Sequence, residues 1–380
     1  MKRMLQKLHH LSKVKKILVV WLIIVLCIGG GLFYRLVKNC FRSNISSTII
    51  KPEFIYIPTG ARYNDVLRIL DKNKLLISRN TFMWMAKELN YRENIKPGKY
   101  KIEPNMSNWQ LINLLKSGNQ TPVKLVIGKF RLNTQFKSFV IKHLEIDSVK
   151  LQLAFDSLIV AEKIDTTQHY KDMNGYVIQN TYEFWWNTSA EKFWKKIFEA
   201  YKKYWNNDRK LKAKAQGLTP YEAVIVASIV DEETAMEDEK PVIAGIYLNR
   251  FHKNVLLQAD PTVKFALNDF AIKRILYVHL KVESPYNTYV VKGLPPGPIC
   301  LPSIKSIDAV LNPIQHKFMF FCAKENFSGY HNYAETFEQH QINAKKYQKA
   351  YVDRFVLHKI DTSQKQTELD TTLFQHHQAN

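Results

Sequence analysis

The segment from Ile17 to Phe33 constrains the fold more than any other part of the chain. It reads ILVVWLIIVLCIGGGLF and carries no charge. Together with Tyr34 it makes about 27 Å of helix at ~1.5 Å per residue, which is just enough to cross the hydrocarbon core of a bilayer. The sequence therefore predicts one transmembrane helix over residues 17–34.

A cleaved signal peptide is the alternative for this segment, because a basic region precedes it. No small-x-small cleavage site follows, since residues 34–38 read YRLVK. The sequence thus favours a retained anchor. By the positive-inside rule, the basic tail at residues 1–16 stays in the cytoplasm, and everything after residue 40 lies outside the cytoplasmic (inner) membrane, in the periplasm.

The overall composition predicts ordered domains and a net charge that attracts polyanions. Of the 380 residues, 46% are hydrophobic and 12% aromatic, which is typical of chains with real cores. The formal net charge of +21 attracts nucleic acid, anionic lipid or an anionic wall polymer. Nucleic acid is not expected as a partner, because the sequence has no zinc-finger spacing, RNA-binding sheet signature or basic region with heptads.

The cysteines indicate neither a metal site nor a redox centre, because no two of them form a C-x-x-C pair. We expect no metal and no cofactor. An oxidising compartment would allow two of the thiols to pair, but we treat all of them as free. They are Cys27, Cys40, Cys300 and Cys322.

Residues 52–118 have the pattern of a small α+β module. The stretch 54–70, FIYIPTGARYNDVLRIL, predicts a strand, a turn and an amphipathic helix. A second helix is predicted over 78–89, followed by a turn at Pro97, a strand, and a helix over 107–118. The resulting order, β-α-α-β-α, is typical of a compact unit.

Residues 122–352 are expected to form a larger α+β domain, so that the whole chain is α+β with an N-terminal transmembrane helix. Residues 123–127, VKLVI, predict a strand. The stretch 135–216 predicts amphipathic helices with solvated basic faces. Its basic helices at 196–214 are expected to attract carboxylates or anionic lipid headgroups. The polar tail at 360–380 is predicted to be disordered.

A helix that begins at Thr219 ends in three consecutive acids. Thr219 is a good N-cap, Pro220 suits the first helical position, and Glu222 completes a capping box. The following residues, 223–230, are apolar on every side, which predicts a buried helix. Carboxylates crowded at the negative end of a helix dipole are unfavourable, so residues 231–233 suggest a functional use.

Helical periodicity does not decide which of these acids is used. Glu233 continues the stripe of Val226 and Val230, but Glu232 continues an equally apolar stripe. Burial and like-charged neighbours would raise the pKa of either carboxyl toward that of a general acid. A solvated acidic helix end with no catalytic role is the alternative.

The segment 227–234, ASIVDEET, resembles the hallmark A-S-I-[VI]-E-x-E-T of the MltG (YceG-like) family of endolytic murein transglycosylases. The family's catalytic glutamate falls on Glu233, so the resemblance supplies the choice that periodicity left open. Gln179, Asp231 and Ala259 depart from the family pattern. Other strings of the family stand in the same order: Asn180-Thr181-Tyr182, Asn249-Arg250, LQADPTV (257–263), SPYNTY (284–289), GLPPGPI (293–299), and Gly329 with His331.

The resemblance implies an activity and an architecture. Such enzymes cut the β-1,4 bond between N-acetylmuramic acid and N-acetylglucosamine without water, leave a 1,6-anhydro end, and release nascent strands near cell-wall synthases. Their small module is LysM-like and precedes the catalytic domain. The family scheme gives Glu233 both roles, acid and then base, in one catalytic cycle.

Polar residues in the two Pro-bounded loops are candidates for substrate binding. Each could instead cap or shape a turn, but we favour substrate contact for Asn287 and Thr288. The candidate set is Gln258, Asp260, Thr262, Tyr286, Asn287 and Thr288.

Two other functions compete with this interpretation. A lysozyme-type hydrolase would use Glu233 as acid and a second carboxylate, such as Asp260, as base. A non-catalytic scaffold would bind peptidoglycan and the synthesis machinery at the membrane.

Overall fold

The structure is a computed structural model that describes residues 13–46, 51–164 and 172–357. The predicted disordered tail at 360–380 lies outside the described residues. The fold is a mixture of helices and small sheets with one apolar N-terminal helix. The chain divides into two compact units: Met1–Lys124 with His143–Ile146 and Glu183–Ser189, and the remainder, which begins at Leu125.

Helix α1 runs from Lys13 to Phe41. Within it, Ile17–Arg35 is long and apolar enough to cross a membrane, and none of that stretch is buried by the rest of the chain. The helix predicted over 17–34 is therefore confirmed as a helix. Length and composition allow both an anchor and a signal sequence.

The first unit continues with five elements in the predicted order. These are β1 (Glu53–Ile57), α2 (Tyr63–Lys72), α3 (Arg79–Glu88), β2 (Gly98–Ile102) and α4 (Asn108–Ser117). The strands pair antiparallel, with Ile55 opposite Tyr100. Ser107 caps α4 in a capping box with Gln110, and Gly118 ends it in the left-handed conformation, as Ser and Gly favour at these positions.

Residues just after α1 belong to the same core as the five elements of the first unit. Ile45 is 1% exposed and packs in the cluster formed by the two strands and three helices. Ser43 bridges to Ser107 and Ile45 to Leu76. The side chain of Asn44 donates to Asn108 Oδ1 at 2.7 Å and is buried. The chain therefore enters the module directly from the helix.

From residue 123 onward the chain alternates short strands with helices. Strands β3 and β4 form one two-stranded sheet, and β5 and β6 form an antiparallel one. In chain order the elements are β3 (Val123–Ile127), α5 (Asn133–His143), α6 (Ser148–Ala161), a 3₁₀ turn (Met173–Tyr176), β4 (Asn180–Phe184), α7 (Ala190–Tyr204), α8 (Asn207–Ala215), α9 (Pro220–Glu233), α10 (Lys240–His252), α11 (Asp260–Leu267), a 3₁₀ turn (His279–Lys281), α12 (Ile304–Leu311), β5 (Phe320–Ala323), β6 (His331–Ala334), α13 (Phe337–Tyr351) and a π-helical turn (Val352–Leu357).

The stretch predicted as helical, 135–216, is interrupted by β4. Tyr182 and Phe184 of that strand are buried and Glu183 between them is exposed, an alternation with a period of two that the helical prediction overlooked. The flanking helices are amphipathic as expected: in α7, Phe193, Trp194 and Ile197 are buried, and its lysines lie mostly on the exposed side.

Helix α9 is the centre of the second unit. Residues 221 and 223–230 are all buried, which confirms the prediction of a buried helix. Thr219, Pro220 and Glu222 form the predicted N-terminus, with the capping box complete. Helices α10 and α12 pack along α9, so the acids at its C-terminal end lie close to the core.

Candidate active site

The three acids at the end of α9 lie in three different environments. Asp231 is fixed by cations and hydroxyls: Lys240 Nζ lies 2.9 Å from Oδ1, Lys129 Nζ lies 2.9 Å from Oδ2, and Ser303 Oγ donates at 2.7 Å. Burial alone would raise the pKa of Asp231, but hydrogen bonds from Ser306, Ser303 and the two lysines outweigh it and hold the pKa well below its usual range. Asp231 is a permanent carboxylate.

Glu232 forms an ion-paired cluster with two basic side chains. Its oxygens lie 2.9 Å from Lys129 Nζ and 2.9 Å from Arg131 Nη2. The side chain of Glu232 is 15% exposed. Its oxygens are thus committed to charged partners, as in a structural salt-bridge cluster.

Glu233 has a neutral partner instead. The hydroxyl of Tyr247, on α10, donates to Glu233 Oε1 at 2.5 Å. Burial raises the pKa of Glu233 to about 7, the Tyr247 hydrogen bond and Lys264 oppose the rise, and the charges of Asp260 and Glu232 add to it. A carboxyl with a pKa near neutrality can both give and take a proton.

Glu233 opens into a cavity of about 360 Å³. Its polar side chains can bind a polar ligand, and five consecutive hydrophobic residues of its lining, 319–323, belong to strand β5 and the residue before it. The lining residues are Glu233, Ile246, Arg250, Leu257, Gln258, Asp260, Tyr289, Met319, Phe320, Phe321, Cys322, Ala323, His331 and His340.

Gln258 and Asp260 are the predicted substrate residues that share this cavity with Glu233. Gln258 has a φ of 52°, an unusual conformation for a residue other than glycine that is often found at functional sites. Arg250 holds it, donating from Nη2 to Gln258 Oε1 at 2.5 Å. Asp260 Oδ1 accepts from the hydroxyl of Tyr289 at 2.6 Å.

Thr262, Asn287 and Thr288 are buried instead of facing the cavity. Asn287 donates to the carbonyls of Leu280 and Val282 at 2.9 and 2.8 Å, and it is 0% exposed. This differs from the substrate contact that we favoured for Asn287 and Thr288, because the polar atoms of Asn287 are used within its own loop.

The two threonines hold the loop that carries Gln258. Thr288 Oγ1 accepts from Ala259 N at 2.9 Å and contacts Thr262 Oγ1 at 2.8 Å. The carbonyl of Thr288 accepts from Gln258 N at 3.0 Å.

Tyr286 packs on Phe265, with ring centroids 4.6 Å apart, and burial raises its pKa to about 12.

Sequence reasoning missed several residues of the site. Arg250, Tyr289 and His331 stood in the quoted strings, but no role was assigned to them. Tyr247 gave no signal, because only the packing of α10 on α9 brings its hydroxyl to Glu233. His340 lines the cavity, and burial and Arg250 lower its pKa.

Glu239 is a further buried carboxylate, and its hydrogen bonds connect several parts of the site. It is the N-cap residue of α10 and is 3% exposed. Its Oε2 accepts from Thr234 Oγ1 at 3.1 Å and lies 2.9 Å from His331 Nδ1. Its Oε1 accepts from His331 N at 2.7 Å and from the hydroxyl of Tyr333 at 2.6 Å.

The described residues contain no group of three His, Cys, Asp or Glu side chains that could hold a metal ion. Cys300 is buried, Cys322 is half-buried, and both are free thiols. Burial raises the pKa of Cys322, with a further rise from Glu325.

Known proteins resemble the chain over most of its length. A family model described as the YceG-like family matches residues 55–346. An endolytic murein transglycosylase of Bacillus subtilis (strain 168) is 27% identical over 312 residues, covering 77% of this chain and 84% of that protein. One of Streptococcus pneumoniae serotype 2 is 24% identical over 367 residues, covering 87% of this chain and 65% of that protein. A crystal structure of a yceG-like protein from Listeria monocytogenes aligns with a TM-score of 0.52 and 26% identity, covering 77% of this chain and 98% of that one.

Proposed function

The chain belongs to the YceG-like family, and we propose that it is an endolytic lytic transglycosylase of peptidoglycan. It cleaves the β-1,4 bond between N-acetylmuramic acid and N-acetylglucosamine in nascent strands, leaves 1,6-anhydro ends and so terminates elongation. Relatives named endolytic murein transglycosylase support this activity. The observation that carries the assignment of Glu233 is its geometry: the carboxyl lines the cavity and accepts from the neutral hydroxyl of Tyr247, where burial raises its pKa.

The reaction uses one carboxyl twice. Protonated Glu233 donates to the glycosidic oxygen as the bond to C1 of the muramyl residue breaks, and the substrate's acetamido group can stabilise the positive charge that develops on C1. The muramyl C6 oxygen then bonds to C1, and its proton passes to the Glu233 carboxylate. Protons balance, and no water enters the product.

Gln258 and Asp260 are proposed as the groups that bind the sugar. Arg250 fixes the amide oxygen of Gln258, which leaves its N–H₂ group as a donor for an acetamido or hydroxyl oxygen. Asp260 accepts from Tyr289 at one oxygen, and its second oxygen can accept from a sugar hydroxyl. Thr262, Asn287 and Thr288 act by holding the loop.

The architecture is also proposed from the family. Residues 52–118 are a LysM-like module, and residues 122–352 form the catalytic domain. Helix α1 anchors the chain in the cytoplasmic membrane with residues 1–16 inside and the enzyme outside, near peptidoglycan and its synthases. The positive net charge favours approach to anionic glycan strands.

The substitution Glu233→Gln tests the function, because it keeps the side-chain shape and removes the proton. We expect cleavage of purified glycan strands to fall at least about 100-fold, the size of a general acid-base contribution. The matched control is Glu237→Gln, at a residue whose side chain is 61% exposed. Wild-type cleavage by the Glu233 variant would contradict the assignment.

Mass spectrometry of the products separates the proposal from its rivals. Anhydro ends support the transglycosylase. Ends heavier by one water molecule would support a hydrolase with Asp260 as base. Glycan binding without any cleavage by the wild-type protein would support a scaffold.

A further inference from the structure

Strand β6 places an imidazole in the wall of the cavity that Glu233 opens into. His331 is the first residue of that strand and pairs with Ala323 of β5. Its side chain is 14% exposed, and it lines the same cavity as Glu233. Phe321 packs edge-on against its ring, with centroids 5.3 Å apart. The imidazole is therefore held in place by strand pairing and by packing.

Glu239 fixes the orientation of this ring. Both its backbone N–H and its Nδ1 contact Glu239, at 2.7 and 2.9 Å. Burial alone would raise the pKa of Glu239, but hydrogen bonds from Tyr333 and His331 outweigh it and leave the pKa below its ordinary value. Glu239 is thus an acceptor, and Nδ1 of His331 carries the hydrogen that it accepts.

This arrangement leaves Nε2 of His331 as the nitrogen that can meet a ligand. An imidazole that donates from Nδ1 to a carboxylate has an acceptor lone pair on Nε2 when it is neutral. The buried carboxylate that orients the base in a Ser-His-Asp triad has the same effect on the tautomer.

The muramyl C6 hydroxyl needs a hydrogen-bond acceptor other than Glu233 while Glu233 acts as the acid. While Glu233 protonates the glycosidic oxygen, one of its oxygens carries that proton and the other accepts from Tyr247. The C6 hydroxyl must already point its oxygen at C1 for a rapid attack. Asp260 is exposed and held by one hydrogen bond from Tyr289, so its position is less constrained than that of His331.

We propose that His331 is a second catalytic residue, whose Nε2 accepts a hydrogen bond from the muramyl C6 hydroxyl and orients its oxygen toward C1, with Glu239 as the positioning residue. The inference rests on the proposed transglycosylase activity. No net proton reaches His331. Once Glu233 has given its proton to the glycosidic oxygen, the C6 hydroxyl hydrogen turns from Nε2 to the Glu233 carboxylate and passes to it as the C6 oxygen bonds to C1. His331 thereby favours the C6 hydroxyl over water as the nucleophile.

The test compares variants of the full-length protein in detergent on purified glycan strands. His331→Ala should lower kcat about 10- to 100-fold, the effect of losing orientation of a reacting group, with little change in KM. Its products should contain more hydrated, reducing ends. Glu239→Gln should do the same, because its amide would donate to Nδ1 and move the ring hydrogen to Nε2. This variant keeps the shape of the network and tests the proposal if the alanine variant does not fold.

Two further variants separate catalysis from structure. His331→Gln, whose amide oxygen can replace Nε2 as acceptor, should recover part of kcat relative to His331→Ala. Tyr333→Phe removes a different hydrogen bond to Glu239, so it should lower stability and keep the wild-type ratio of anhydro to hydrated ends.

The outcomes for this inference and for the proposed function are distinct. Wild-type kcat and product ratio in folded His331→Ala or Glu239→Gln, with Glu233→Gln inactive, would overturn the role of His331 and leave the proposed function standing. Activity of Glu233→Gln would overturn the proposed function itself.

Discussion

Glu233 owes its chemical character to two opposing effects. Burial favours the neutral acid, and the hydrogen bond from Tyr247 favours the carboxylate. Their balance places the pKa at about 7, between the values that would make the residue only an acid or only a base. Tyr247 therefore adjusts the pH range of the enzyme as well as the orientation of the carboxyl.

The substitution Tyr247→Phe should move the alkaline limb of the pH profile to higher pH. The first step needs protonated Glu233, so kcat/KM falls as the pH rises through its pKa. Without the Tyr247 hydroxyl the carboxylate of Glu233 loses a hydrogen bond, so its pKa rises. We expect a rise of about one unit, because that shift corresponds to the free energy that a hydrogen bond to a charged group usually contributes. The measurement is kcat/KM from pH 5 to about pH 9. An unmoved alkaline limb, or one at lower pH, would contradict this role.

Sequence reasoning reached the catalytic candidate but not its surroundings. The family motif selected Glu233, whereas nothing in the sequence indicated that Tyr247 would meet it. Asn287 and Thr288 were expected to contact substrate because they are polar and lie in a loop. Their burial could not be predicted from the sequence. An asparagine whose side-chain amide donates to backbone carbonyls of its own loop looks the same in a sequence as one whose amide binds a sugar.

At the scale of elements, α9 shows how a buried helix can end in three acids. Asp231 and Glu232 are neutralised by Lys129, Lys240 and Arg131, which removes the repulsion that the sequence led us to expect. The start of this helix was predictable from local chemistry, because the capping box needs only Thr219 and Glu222, which lie three residues apart in the sequence. The partners of its end come from distant parts of the chain, which local patterns do not specify.

Neutral substitutions of these two neighbours should have different effects on stability. Asp231→Asn should lower the free energy of unfolding by about 3 kcal/mol, since it leaves the buried ammonium of Lys240 without its counter-charge. Glu232→Gln should cost under about 1 kcal/mol, because its partners are 35% and 40% exposed and solvent screens them. Urea unfolding at neutral pH measures both. Equal losses would contradict the distinction.

At the scale of the whole molecule, the described chain consists of an apolar helix with a small unit and a larger unit that holds the site. The order of elements in the small unit followed from strand and helix periodicity. The interruption of the helical stretch by β4 did not, because the alternation of Tyr182 and Phe184 lies between two helical segments and was assigned to the helical stretch with them.

Retention of α1 should be visible in the mature protein. N-terminal peptides from residues 1–16 should be found in the membrane fraction after an alkaline wash, because no cleavage site follows the apolar segment. Lysines at both Leu22 and Leu26 should release the protein, at about 3 kcal/mol each near the centre of a span. The control is Ile77→Lys, at an exposed position outside the segment. A soluble mature chain that begins after residue 34 would show that the segment is a signal.

For the membrane anchor proposed above, the direct entry of residues 43–46 into the core has a consequence for how the protein responds to its lipid environment. Helix α1 has 29 residues, about 43 Å at ~1.5 Å per residue, whereas a hydrocarbon core is ~30 Å thick. No slack separates the surplus length from the small unit. The apolar part of the helix is only about 27 Å long at ~1.5 Å per residue, so a thicker bilayer would draw the flanking Arg35 and Lys38 toward the headgroups and bring the small unit closer to the membrane. Bilayer thickness would then help to set how far above the membrane the small unit stands.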